Sequence, residues 1–99
     1  MDDNSFQIDR KDLIEGLGKG LRVIEAFDDE HPRLTPSEAA RLTGLTRTAT
    51  RRYLLSLVHF GYAGTDGKLF WLTPKVLRLS QSYLGRSEEH TSELQSRLH

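Results

Sequence analysis

The stretch from Leu34 to Leu57, LTPSEAARLTGLTRTATRRYLLSL, leaves this chain few folds to choose from. Thr35-Pro36-Ser37-Glu38 reads as a helix start. Thr35 can cap, Pro36 suits the first helical position, where its missing N–H costs nothing, and Glu38 stands where it can close a capping box. The helix is expected to run to about Thr43, with Gly44 as a left-handed stop. Ala40 is small where two helices cross closely, and Leu45 turns into the core. Thr46 then caps a second helix that reaches about Phe60, with Gly61 as its terminator. Two capped helices across a short glycine turn predict a helix-turn-helix.

The second helix has two distinct faces. Thr50, Tyr53, Leu54 and Leu57 recur at helical spacing and form the inward stripe. Thr50 is polar where an aliphatic side chain packs better, so its methyl should face the core while its hydroxyl bonds back to the preceding turn. Thr48, Arg51, Arg52 and Leu55 form the opposite stripe, with Arg47 in the exposed first turn. A cationic helix face is most often just a solvated one. Here, however, no acidic residue lies between Glu38 and Asp66. The zero net charge also conceals a segregation: residues 1–30 hold four Lys/Arg against nine Asp/Glu, whereas residues 31–85 hold eight against two. A basic body behind an acidic lead favours a polyanionic partner.

The flanks are read as supports for this unit. Residues 1–12 carry no apolar period and are expected to be a disordered lead. Leu13, Leu17, Leu21 and Ile24 predict a helix over residues 13–27. Gly16, Gly18 and Gly20 weaken its start, so the firm part is expected from Leu17 onward. Asp66-Gly67 predicts a two-residue hairpin turn between strands 62–65 and 68–72, with Lys68 near the tip. Phe70 and Leu72 should share one face, Leu69 and Trp71 the other, with Trp71 covering the core rather than stacking on a base. Thr73-Pro74 opens a last helix to about Leu84, whose wide apolar stripe calls for a second packing partner. The expected architecture is mainly α with a small β-hairpin, a winged helix-turn-helix with a C-terminal linker helix.

Other classes find little support. There is no cysteine, hence no disulfide framework and no thiolate metal site, and no apolar run approaches a membrane span. A cytoplasmic protein is the expectation. No nucleophile–base set, phosphate-cradling glycine loop or carboxylate pair on a predicted scaffold indicates an enzyme. His31 and His59 lack partners at ligand spacing, so neither metal nor cofactor is expected.

Wording in several separated blocks adds a family. Gly18-Lys19-Gly20-Leu21-Arg22-Val23-Ile24-Glu25-Ala26-Phe27, Leu34-Thr35, Thr43-Gly44-Leu45-Thr46-Arg47, Arg51-Arg52-Tyr53-Leu54-Leu55, Gly61-Tyr62 and Leu72-Thr73-Pro74-Lys75 resemble the N-terminal domain of the IclR family of bacterial transcription regulators. Leu45-Thr46-Arg47, Ala49 and Arg51-Arg52 resemble the subgroup that controls protocatechuate, 4-hydroxybenzoate and other β-ketoadipate-pathway genes. The resemblance covers residues 13–85. It implies a sequence-specific domain that binds double-stranded DNA at a pseudo-palindromic operator through Thr46, Arg47, Thr48, Arg51, Arg52 and Lys68. It also implies a homodimer or tetramer whose small-molecule effector binds a further domain. Arginines 47 and 51 are favoured for bases and Arg52 for phosphate. Residues 86–99 depart from the family pattern and resemble translated sequencing-adapter sequence, so they are read as a non-native tail on a truncated fragment. The competing readings are a protein-interaction or dimerisation module without DNA binding, and a fragment with no function of its own.

Overall fold

A computed structural model describes residues 7–86. The sequence expectations for residues 1–6 and 87–99 lie outside the described residues. Helix α1 spans Glu15–Glu25, α2 Pro36–Thr43 and α3 Arg47–His59. Strands β1, Ala63–Thr65, and β2, Phe70–Leu72, form an antiparallel hairpin. A 3-10 segment, Pro74–Ser80, and a short helix α4, Gln81–Arg86, follow. No helix among the described residues is long and apolar enough to cross a membrane.

The core sits where α1, α2, α3 and the hairpin converge. Val23, Leu34, Ala39, Leu54 and Phe70 are buried there, with Phe27, Leu45, Tyr53, Leu57 and Val58 packed around them. Removing this apolar surface from water is the main stabilising contribution. Leu34 adds a third, one-residue strand: its N–H donates to the Phe70 carbonyl at 3.0 Å and its carbonyl accepts from Phe70 N at 2.8 Å. This bridge ties the start of the helix-turn-helix to the hairpin.

Several expectations are corrected. Helix α1 begins at Glu15, through Gly16 and Gly18, rather than at Leu17. Its glycines serve the crossing with α3: a Cβ on Gly16 would stand 3.3 Å from the Tyr53 hydroxyl oxygen, and one on Gly20 3.5 Å from the Tyr53 ring. Leu13, Leu17 and Leu21 are exposed, and Val23 is the residue of α1 that enters the core. Part of the expected lead is ordered locally, since Arg10–Asp12 forms a 3-10 turn capped by Asp9.

The hairpin turn is centred one residue later than Asp66-Gly67 predicts. Thr65 pairs with Phe70, and Asp66 N donates to the Leu69 carbonyl, which leaves Gly67 and Lys68 at the tip. Gly67 has φ +100°, a conformation that glycine adopts without strain. The Asp66 carboxylate fixes this register by accepting from Lys68 N at 2.9 Å and Leu69 N at 2.8 Å. Finally, the last helix is divided. Thr73 caps it as expected, accepting from Lys75 N, but Pro74–Ser80 is 3-10 and only Gln81–Arg86 is α-helical. Leu77, Leu79 and Tyr83 in this region are more than half exposed.

Candidate nucleic-acid interface

The α2–turn–α3 unit is built as its residues dictate. Thr35 N donates to Glu38 Oε1 at 2.9 Å while Glu38 N donates to Thr35 Oγ1 at 3.2 Å, a complete capping box. The first of these bonds is the chief reason the Glu38 carboxyl lies below its ordinary range. Gly44 takes φ +79° and closes α2 through its N–H on the Ala40 carbonyl. Thr43 Oγ1 donates to the Ala39 carbonyl at 2.8 Å and accepts from Leu45 N at 3.3 Å, which holds the turn from inside.

Thr46 Oγ1 then accepts from Ala49 N at 3.1 Å and starts α3. Fully buried Thr50 donates its hydroxyl to the Thr46 carbonyl at 2.7 Å, the back-bond expected from its position. With Thr50 and Leu54 fixed inward, Thr48, Arg51 and Arg52 are turned outward, and Arg47 is exposed in the first turn. Lys68 is exposed at the hairpin tip. None of these cations forms an ion pair among the described residues.

The arginines do not form one cluster. Arg47 and Arg51 are four apart and stack along the same edge of α3. Arg52 instead borders a groove between α1 and α3 with Lys19, Ala49, Tyr53 and Ser56. One edge thus presents two guanidinium forks, suited to bidentate recognition of guanine O6 and N7. The other places Arg52 on a groove that Lys19 also lines, where cations can meet phosphate oxygens. Among the described residues no three His, Cys, Asp or Glu side chains are grouped to hold a metal ion.

Sequence reasoning missed two basic residues. The Arg33 guanidinium lies over the Trp71 ring, 4.7 Å from its centroid. Lys75 donates its Nζ to the Phe60 carbonyl at 2.8 Å and covers the Tyr62 ring at 4.8 Å, closing the C-terminal end of α3. Nothing in the linear spacing joins these pairs, which the hairpin brings together.

Residues 16–67, just over half of the chain, match the IclR helix-turn-helix domain. The chain belongs to the IclR family. The p-hydroxybenzoate hydroxylase transcriptional activator of Acinetobacter baylyi is 49% identical over 81 residues, covering 82% of this chain and 30% of that protein. The Pca operon regulatory protein of the same organism is 43% identical over 85 residues, covering 86% and 31%. Among solved structures, an IclR family transcriptional regulator from Brucella abortus superposes with a TM-score of 0.73 at 28% identity, covering 84% of this chain and 33% of that one. A transcriptional regulator from Rhodococcus sp. RHA1 gives 0.71 at 51% identity, covering 76% and 30%. The chain therefore spans about a third of the length of the relatives it matches. They are regulators of transcription by name, and none is described as an enzyme.

Proposed function

We propose that this chain is the sequence-specific DNA-reading part of a cytoplasmic regulator of aromatic-compound catabolism genes, with α3 seated in the major groove. The observation that carries this reading is the outer face of α3. Thr48, Arg47, Arg51 and Arg52 stand exposed on a capped helix whose opposite face is anchored by Thr50 and Leu54. A rigid helix whose exposed cations form no ion pair among the described residues meets the steric and electrostatic requirements of duplex recognition. Arg47 and Arg51 would reach base edges, Thr46 and Thr48 base edges or phosphate, Arg52 phosphate, and Lys68 the backbone or minor groove beside the wing. Two named relatives that regulate p-hydroxybenzoate or Pca genes support the aromatic assignment.

The operator would be pseudo-palindromic and read by two copies. Leu17, Leu21 and Ile24 of α1 share an open apolar groove with Leu57, Phe60, Tyr62 and Leu79. A second copy is the occupant this reading assigns, because the groove joins α1 to the segment after the wing in one surface. A small-molecule effector would act through a further domain. The test is an anisotropy titration with labelled duplex at two salt concentrations, with sedimentation run alongside. Affinity that falls steeply with salt supports the reading. Absence of duplex binding by a folded chain would replace it with a protein-interaction role, and a monomer at high concentration would remove the paired arrangement.

A further inference from the structure

We propose that Arg33 is a DNA-backbone contact at the base of the wing, held in place by stacking on Trp71. The inference rests on the DNA-binding reading above and adds a second cation to the wing side. Arg33 precedes Leu34, whose two backbone bonds to Phe70 fix it beside β2. The next residue of β2 is Trp71, and its ring carries the Arg33 guanidinium at 4.7 Å. Trp71 is itself fixed. It pairs with Gly64, and its indole lies so close that a Cβ there would stand 2.6 Å from Nε1. The indole thus lies against Gly64 and carries the Arg33 guanidinium.

Stacking on an aromatic face uses the flat surface of the guanidinium and leaves its N–H edges directed outward. Arg33 is exposed and forms no ion pair among the described residues. Glu30 and Glu38 border the groove beside it, but Glu38 already accepts from Thr35 N. Asp66 holds the turn through Oδ1, which accepts from Lys68 N and Leu69 N, and forms no ion pair with Arg33 among the described residues. The charge of Arg33 is nevertheless felt at Asp66, as a minor cause of its lowered pKa. A cation immobilised there loses little side-chain entropy on meeting a phosphate, which a solvated lysine would lose in full.

The test uses the full chain and a fluorescein-labelled duplex of arbitrary sequence, since a phosphate contact does not depend on sequence. Arg33→Met keeps an apolar cover on the indole and removes the charge. Its plot of log affinity against log salt should be shallower by about 0.9, and Arg33→Lys should restore most of the slope. Trp71 is the sole tryptophan, so its emission should change when duplex is added to the unaltered chain and stay constant in Arg33→Met. On the unaltered chain, duplex should also protect Arg33 from phenylglyoxal, read by peptide mapping, whether or not the variants fold. An Arg33→Met protein with the parental slope, or modification of Arg33 that is indifferent to duplex, overturns the proposal and leaves the DNA-binding reading intact. A parental chain that shows no salt-dependent binding overturns both.

Discussion

Lys75 Nζ donates to the Phe60 carbonyl at 2.8 Å, so the segment after the wing closes the end of the helix before it. Thr73 reinforces the joint, its Oγ1 donating to the Gly61 carbonyl at 2.7 Å and its N–H to the Tyr62 carbonyl at 2.9 Å. A cation at a helix C-terminus satisfies an orphan carbonyl and opposes the macrodipole. Lys75→Met should therefore lower stability by about 1 kcal/mol, measured by urea unfolding monitored by circular dichroism. An unchanged midpoint would show that solvent replaces the ammonium without loss.

Two glycines should respond to alanine with opposite signs. A Cβ on Gly18 meets nothing within 4 Å, and the residue lies within α1. Gly18→Ala should stabilise by about 0.5–1 kcal/mol, through helix propensity and a less flexible unfolded chain. At Gly64 the same change drives a methyl into the Trp71 indole, which is a rigid neighbour in a paired strand. Gly64→Ala should destabilise by about 1–3 kcal/mol and shift the Trp71 emission. Thermal unfolding of the two variants in parallel decides the matter.

What could be read from the chain and what could not divide along a physical line. The Thr35–Glu38 capping box, the Thr46 cap, the Gly44 stop and the Thr50 back-bond are local, with donors and acceptors within four residues, so residue type and spacing carry them. The same locality exposed the outer face of α3 once its inner stripe was identified. The Leu34–Phe70 bridge, the Arg33–Trp71 stack and the Lys75–Phe60 cap join residues 15 to 38 positions apart. They depend on where the hairpin lands. The turn lies one residue beyond Asp66-Gly67 because Asp66 spends its side chain on two following N–H groups, which brings Lys68 into the tip in its place. The α1 glycines look like weak points in the linear sequence, but Tyr53, 33 or more residues away, supplies the reason for two of them.

Acid should weaken the fold through three carboxylates held below their ordinary values. Asp28 is lowered first by the hydrogen bond from the His31 ring, Glu38 by the Thr35 N–H, and Asp66 by the Leu69 N–H. For each, the folded pKa is depressed, so the stabilisation is complete above the unfolded values of 3.8 to 4.5 and fades as pH falls through the lower folded ones. Urea midpoints should be level down to about pH 5.5 and decline below it. Asp66→Asn should lower the midpoint at neutral pH and flatten the acid limb. An acid limb identical to the parent's would remove Asp66 from the account.

Arg51 and Arg52 are neighbours in sequence and should fail differently. Arg51 shares its edge of α3 with Arg47, whereas Arg52 borders the groove with Lys19. If the first edge reads bases, Arg51→Ala should cost about 1–3 kcal/mol on an operator selected from a random duplex pool, and much less on unselected duplex. Arg52→Ala should weaken both by a similar factor and reduce the salt slope by about one, the mark of a lost phosphate contact. Both measurements come from one anisotropy series across salt concentrations. Equal losses for Arg51→Ala on the two duplexes would move that residue to the backbone and leave Arg47 as the base-reading arginine.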